Sequence, residues 1–388
     1  MVGKTFNKGE WAELFLLYRL LGDGKIRIYD PSMTIFHSEM TILAITRENE
    51  PGVVVTYSLC DGVVNMKSGD TLLGSIDQYE FSLNASKVKK DLLNGTGPAF
   101  ALSDKANEFM VRSFIKSPKA KSLRTLDNGL LAGGKCDLSI TYSNPKTGAI
   151  NVAGFSVKSS FSHASTLQNG SGSTNFLFCL DDLLESEAVQ ANSIVQRRLK
   201  SNGSKAPDIM ARCDYLASLG KQILPVGVVP SKSGASTFRN NLLIIDSNLP
   251  DVLSQMLLIH YFGSDHESRL SEMPRLLAKR KPVKGRLFDE IYYSKRLKDY
   301  LFACFSGMVP STPWIGRNDV DGGYIVVGKD FEPSACLSTE RDAFMDYLLG
   351  STKLEHPDSS KNRADYGEVF RGTDGRYYIR LNLQIRFM

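Results

Sequence analysis

An α/β fold is predicted for this chain by three features of its 388 residues. A helical apolar stripe opens the chain. A series of short alternating runs follows, split by turn signals. Further helices are then interleaved with apolar runs too short to be helices themselves. The length exceeds that of one ordinary core and predicts at least two domains.

The opening stripe places Trp11, Leu14, Phe15, Tyr18 and Leu21 at helical spacing over residues 8–21. Asn7 is the natural N-cap, and Gly22 or Gly24 ends the helix. Strand-like runs come next at Ile26–Tyr29, Thr41–Thr46, Val53–Ser58 and Thr71–Ile76. Helices are predicted at about 79–93 and 104–116. Residues 135–159 read as a hairpin: Cys136–Tyr142 alternates, Asn144-Pro145-Lys146-Thr147-Gly148 turns, and Ile150–Val157 alternates again. A loop rich in Ser, Gly and Asn fills 160–174. Phe176–Leu180 is a short apolar run, with helices expected at 182–199 and 207–219. Ile223–Val229 and Leu242–Ile245 read as buried strands, and Asp251–Tyr261 as an apolar helix. Residues 266–306 are basic and mainly helical. A helix at 340–349 and a final strand, Tyr377–Phe387, complete the pattern. These changes of character divide the chain into 1–262 and a basic region, 263–388, whose last strand is free to return to the core.

Composition removes several functional classes. With 42% hydrophobic and 23% charged residues, the chain has the balance of a water-soluble globular protein. No apolar stretch is long enough to cross a bilayer, and the N-terminus shows no signal-peptide core. The six cysteines are scattered without a Cys-x-x-Cys pair, which argues against a zinc knuckle and for a reducing cytoplasm. The five histidines show no zinc-hydrolase spacing, and no phosphate-binding glycine loop or nucleophile elbow occurs. Net charge is +5, so a polyanionic partner is allowed. The basic residues cluster in Arg112–Arg124 and in Arg275–Arg286, RLLAKRKPVKGR, which has six cations and no acid. A solvated surface face explains such runs equally well.

The 135–159 hairpin carries the ingredients of phosphodiester hydrolysis. That reaction needs a hard divalent cation on carboxylate oxygens, an activated water, and a cation to offset charge on the phosphate. Asp137 stands early in the first strand and Lys158 ends the second. Ser156 and Lys158 are two apart and share a face. If Asp137 lies opposite Ser156, all three converge; a one-residue slip separates them. Asp and Lys also decorate exposed hairpins in many proteins, so spacing alone is a weak signal. Glu10, at the start of the first helix, is a further acid, with dipole stabilisation as its ordinary role.

Several segments together resemble the HpaII-type restriction endonucleases. They are Asn7-Lys8-Gly9-Glu10-Trp11, Gly133-x-Lys135-x-Asp137, Gly154-Phe155-Ser156-Val157-Lys158-Ser159, Ser165-Thr166-Leu167-x-Asn169 and Thr174-Asn175-Phe176. Towards the C-terminus come Asp321-Gly322-Gly323-Tyr324, Tyr347-Leu348-Leu349 and Leu381-Asn382-Leu383-Gln384-Ile385-Arg386-Phe387. The resemblance spans the whole chain and implies a PD-(D/E)xK-type nuclease core, a mixed sheet flanked by helices, with Mg2+ as cofactor. It implies cleavage of both strands of a short palindrome in double-stranded DNA, CCGG for the family's namesake, leaving 5′-phosphates. Asp137 matches the metal-binding aspartate and Lys158 the lysine beside the attacking water. Glu10 matches an acid on the first helix. The position of the motif's second acid holds Ser156, which cannot act as a charged ligand. Glu10 is the first choice to replace it, ahead of Asp182 or Glu185.

For DNA contact, the resemblance and the polar loop single out Lys8, Ser160, Ser165, Thr166, Gln168, Asn169, Thr174 and Asn175. Lys279, Arg280, Lys281, Lys284 and Arg286 are candidates for phosphate contact, and Arg386 for a base edge. The resemblance further implies a cognate cytosine methyltransferase as a genetic partner and a bacterial cytoplasmic setting. A palindrome suits a two-fold dimer on DNA as well as a monomer nicking each strand in turn. The rivals are a repair nuclease without sequence specificity and a DNA-binding protein with a degenerate nuclease core.

Overall fold

The computed structural model describes residues 5–50, 52–119, 123–125, 131–144, 147–159, 166–199, 205–230, 236–285, 288–357 and 365–388. The chain divides into two compact units. The first is Met1–Ser165 with Asn318–Phe344, and the second is Thr166–Arg317 with Met345–Met388. The expected boundary at 262/263 therefore lies elsewhere. It followed a change in charge, whereas the division follows the sheet. The segment that returns to the N-terminal unit is 318–344, and the last strand stays in the second unit.

In the first unit, helix α1 (Lys8–Asp23) starts at Asn7, whose side chain accepts from the Glu10 N–H, and ends at Gly24 in the left-handed region. The helix buries more than a stripe: Trp11, Leu14, Phe15, Leu16, Leu17, Tyr18, Leu20 and Leu21 are all buried. Strands β1 (Lys25–Tyr29), β2 (Phe36–Glu50), β3 (Val53–Cys60), β4 (Val63–Ser68) and β5 (Thr71–Asp77) follow. The predicted strands are all present; β4 is additional, a Val-Val run on a polar tail that alternates imperfectly. Helices α2 (Gln78–Asn94) and α3 (Asp104–Arg112) come next. The hairpin is β6 (Leu138–Ser143) with β7 (Ile150–Ser159), and from the far end of the chain come β8 (Gly323–Val327) and β9 (Pro333–Leu337).

These strands form a nine-stranded sheet among the described residues, ordered β1-β9-β8-β7-β6-β2-β3-β4-β5. It is mixed: β7–β8 and β1–β9 are parallel, and the other pairs antiparallel. Because β1 also pairs with β2, six strands close into a ring and β3 to β5 extend from it. A single apolar cluster joins α1, α2 and α3 to the inner face of this sheet, with Phe155, Ile140 and Leu138 of the hairpin inside it. The hairpin is thus anchored by burial on the core side, which fixes its register.

The second unit contains a four-stranded sheet, ordered 223–228, 175–180, 377–382, 369–371, and a small three-stranded one from 166–168, 385–387 and 352–354. Its helices include Leu249–Phe262, buried along most of its length, and Asp289–Ser306, in which Tyr293 and Tyr300 are buried. Residues Leu242–Ile245, expected as a strand, end the helix Thr237–Ile245. Ser236 caps its N-terminus and sets the helical path that the short apolar run could not reveal. Among the described residues no single helix is long and apolar enough to cross a membrane; Thr237–Ile245 and Leu249–Phe262 reach that length together but are bent by 107°. All six cysteines are free thiols.

Candidate active site

Strands β6 and β7 pair from Leu138↔Phe155 to Ser143↔Ile150. Asp137 stands between the strand Leu131–Cys136 and β6, and its N–H donates to the Phe155 carbonyl at 2.9 Å. That register brings its carboxylate to Ser156 and Val157. The Oδ2 atom accepts from the Val157 N–H at 2.7 Å and from the Ser156 hydroxyl at 3.3 Å. Lys158 is the next residue. On the other edge of β7, β8 runs parallel, with Tyr324 beside Ser156 and Val326 beside Lys158. The site is therefore held by strands on both sides.

Two residues hold β7 at this point. The Gly154 N–H donates to Asp321 Oδ1 at 2.7 Å, and its carbonyl accepts from the Gly322 N–H at 2.9 Å. A Cβ at Gly154 would stand 2.3 Å from the Asp319 carbonyl oxygen and 2.9 Å from Cys136 Sγ, so only glycine fits. Asp321 was not singled out as a site residue in the sequence, although it belongs to one of the segments that carry the resemblance.

Burial raises the Asp137 carboxyl above its ordinary value. Lys158, the Val157 N–H, the Ser156 hydroxyl and Lys119 pull it back down. Burial lowers the Lys158 ammonium in turn, and the charges of Asp137 and Glu13 oppose that. Both groups are partly withdrawn from water, and the charge of each favours the charged form of the other.

Glu13, which the sequence reading did not single out, also bears on this cluster. Glu10 is engaged at the helix start, where its Oε2 accepts from the Asn7 N–H at 3.0 Å and completes a capping box. Glu13 lies three residues further along α1, has a buried carboxylate oxygen, and acts electrostatically on both Lys158 and Arg47. The signal was present: Glu13 is the lone charge in the otherwise apolar run Trp11–Tyr18. Asp182 and Glu185 are exposed residues of the second unit. Among the described residues no group of three or more His, Cys, Asp or Glu gathers as a metal site. Asp137 and Glu13 are hard oxygen donors of the kind that hold Mg2+, which binds through one or two carboxylates and keeps waters for the rest of its shell.

The expected DNA contacts fall into two groups. Gln168, Thr174 and Asn175 are buried. Gln168 donates to the Leu383 carbonyl and accepts from Tyr300 and Cys304. Thr174 donates to Ser171 O, and Asn175 accepts from Asn382 Nδ2. These polar groups tie the second unit together and are not presented to a ligand. Thr166 pairs with Arg386 across a strand, and Arg386 is ion-paired with Glu355. Asn169, Lys279, Arg280, Lys281 and Lys284 are exposed, and Lys281 pairs with Asp289 at 3.6 Å. Lys8 is partly buried in the first turn of α1. Ser160, Ser165 and Arg286 lie outside the described residues.

The model of the HpaII restriction endonuclease family matches residues 7–387. The type II restriction enzyme HpaII of Haemophilus parainfluenzae is 27% identical over 395 residues, covering 98% of each chain. No solved structure matches.

Proposed function

The chain belongs to the HpaII restriction endonuclease family, and from that premise we propose that Asp137, Glu13 and Lys158 form an Mg2+-dependent centre of the PD-(D/E)xK type, cutting both strands of a short DNA palindrome. As a member it is a type II site-specific deoxyribonuclease. The observation that carries the assignment of the centre is the Asp137 carboxylate, fixed by Val157 and Ser156 immediately before Lys158.

The chain's own groups divide the work. Asp137 Oδ2 takes both hydrogen bonds, so the carboxylate is oriented before any ligand arrives. Ser156 occupies the place of the missing second acid and serves as a donor to Asp137. Glu13 supplies the second carboxylate from α1. Lys158, whose charged form Asp137 and Glu13 favour, offsets charge on the phosphate and orients the water. A bound Mg2+ would add Lewis-acid stabilisation of the phosphate and a more acidic water.

The proposed target is CCGG or a related site, leaving 5′-phosphates, by likeness to the family. DNA enters as substrate, the exposed basic run Lys279–Lys284 takes phosphates, and a cognate cytosine methyltransferase protects the host genome in a cytoplasmic setting. Digestion of one mapped plasmid with Mg2+, with the fragment ends sequenced, tests this. Discrete bands with 5′-phosphate ends are expected. A smear would favour a nuclease without sequence specificity, and intact plasmid bound by the protein a degenerate nuclease.

A further inference from the structure

The first unit buries an arginine for which the proposed cleavage chemistry has no use. Arg47 lies on β2 and is 1% exposed. It pairs with Val55 of β3, one residue along from the Thr46–Ser139 pair that joins β2 to β6. Its Nη2 donates to the carbonyl oxygens of Ser117 at 3.0 Å and Pro118 at 3.4 Å. Its Nε is buried with no hydrogen-bond partner. Two neutral carbonyls do not offset the desolvation of a guanidinium, which persists inside a protein only where negative charge surrounds it. Burial lowers its pKa, opposed electrostatically by the Tyr57 phenol, Glu13, the Tyr18 phenol and Asp137. Of these the two carboxylates carry charge, Glu13 on α1, which packs on β2, and Asp137 at the head of β6, which pairs with β2. The same two carboxylates form the metal-binding pair proposed above. The stretch clamped by Arg47 also leads into Lys119, whose charge reaches Asp137.

We propose that Arg47 is a positioning residue of the cleavage centre: a fixed, buried counter-charge that offsets the mutual repulsion of Glu13 and Asp137, keeps both in place for a shared cation, and ties residues 117–119 to the same sheet. This rests on the reading of Asp137, Glu13 and Lys158 as that centre.

The test uses the full chain with Arg47→Met, Arg47→Lys, Glu13→Gln, Arg47→Met with Glu13→Gln, and Asp137→Ala. Urea unfolding is measured without metal, and single-turnover cleavage with Mg2+. Arg47→Met should lower the unfolding midpoint and slow cleavage by about 100-fold, while Arg47→Lys, which keeps the charge, recovers to within about 10-fold of the parent. Glu13→Gln should cost less stability in the Arg47→Met background than in the parent, because the repulsion it removes is then unopposed. If Arg47→Met alone does not fold, folding of the double variant is the supporting result, and failure of the double variant as well overturns the idea. Additive stability losses, parental cutting by Arg47→Met, or a folded Arg47→Lys as slow as Arg47→Met would also overturn it. Parental cutting by Arg47→Met beside an inactive Asp137→Ala sinks this inference alone. Parental cutting by Asp137→Ala sinks the cleavage centre itself.

Discussion

The main-chain N–H of Val157 holds the Asp137 carboxylate at 2.7 Å, one residue before Lys158. Only proline would remove a main-chain donor, so the orientation of the acid is a property of the hairpin register. Side-chain changes at Asp137 and Lys158 should therefore remove chemistry and leave the fold. Asp137→Asn and Lys158→Met are expected to lose at least about 1000-fold in single-turnover cleavage with Mg2+. Their affinity for DNA in Ca2+ should stay within about 10-fold of the parent. Parental cutting by either pure variant would refute the mechanism.

Glu10 and Glu13 should part company in the same assay. Glu10→Gln keeps the reach-back bond to Asn7, so it should cut at close to the parental rate. Asn7→Ala removes the cap and should cost about 1 kcal/mol of stability with little effect on the rate. Glu13→Gln keeps the shape of the side chain without its charge and should slow cleavage by about 100-fold. An active Glu13→Gln beside an inactive Glu10→Gln would restore the assignment made from the resemblance alone.

Much of the first unit was legible from period and punctuation. The Asn7 cap, the stripe from Trp11 to Leu21 and the 135–159 hairpin appear where the pattern put them, because each is a local device with its own signal. The pairing of the hairpin ends at Leu138 and Phe155, and from just beyond it the Asp137 carboxylate accepts from the Ser156 hydroxyl. What the sequence hid was non-local. Nothing in Gly323–Val327 announces that it lies parallel to β7, some 170 residues away in the chain. Glu13 escaped because a stripe analysis discards a charge inside an apolar run, when such a charge must have a partner. The polar residues Gln168, Thr174 and Asn175 looked like ligand contacts for the opposite reason: polarity says nothing of burial, and all three are buried donors or acceptors within the second unit.

Gly154 gives a sharper check on the sheet beneath the site. An alanine Cβ there would meet the Asp319 carbonyl oxygen at 2.3 Å, a main-chain atom that cannot rotate aside. Gly154→Ala should push β7 away from the Asp321 carboxylate and cost roughly 1–3 kcal/mol, the range for overpacking. Cleavage should fall with it, since Asp137 is registered on Phe155 next door. A Gly154→Ala chain with parental unfolding midpoint and rate would show that the 318–321 segment yields freely.

The basic run should appear in the salt dependence of DNA affinity. Lys279, Arg280 and Lys284 are exposed, while Lys281 is partly neutralised by Asp289 at 3.6 Å. Removing one cation from a DNA phosphate lowers the slope of log K against log salt by about 1. Lys279→Ala, Arg280→Ala and Lys284→Ala together should thus reduce it by about 3, and Lys281→Ala alone by less than about 1. An unchanged slope would move the phosphate-binding surface elsewhere.

The last prediction concerns acid stability in the second unit. His260 and His356 stack with ring centroids 4.5 Å apart and planes within 10°. His260 Nδ1 bonds the Glu267 carbonyl at 3.0 Å, and the Nε2 atoms of both rings are buried without a hydrogen-bond partner. Burial holds each imidazole down to about 4, assisted by the neighbouring imidazole charges. The unfolded chain, with ordinary histidines near 6.5, binds these protons first. Stability is therefore complete above about pH 6.5 and falls as pH drops from there toward about 4. One pKa unit corresponds to about 1.4 kcal/mol, so the near-fully buried His260 alone accounts for on the order of 3 kcal/mol across that window. The urea midpoint should fall between pH 7 and pH 5, and less steeply in a His260→Gln chain. A midpoint that stays level over that range would mean the two rings take up protons as readily folded as unfolded.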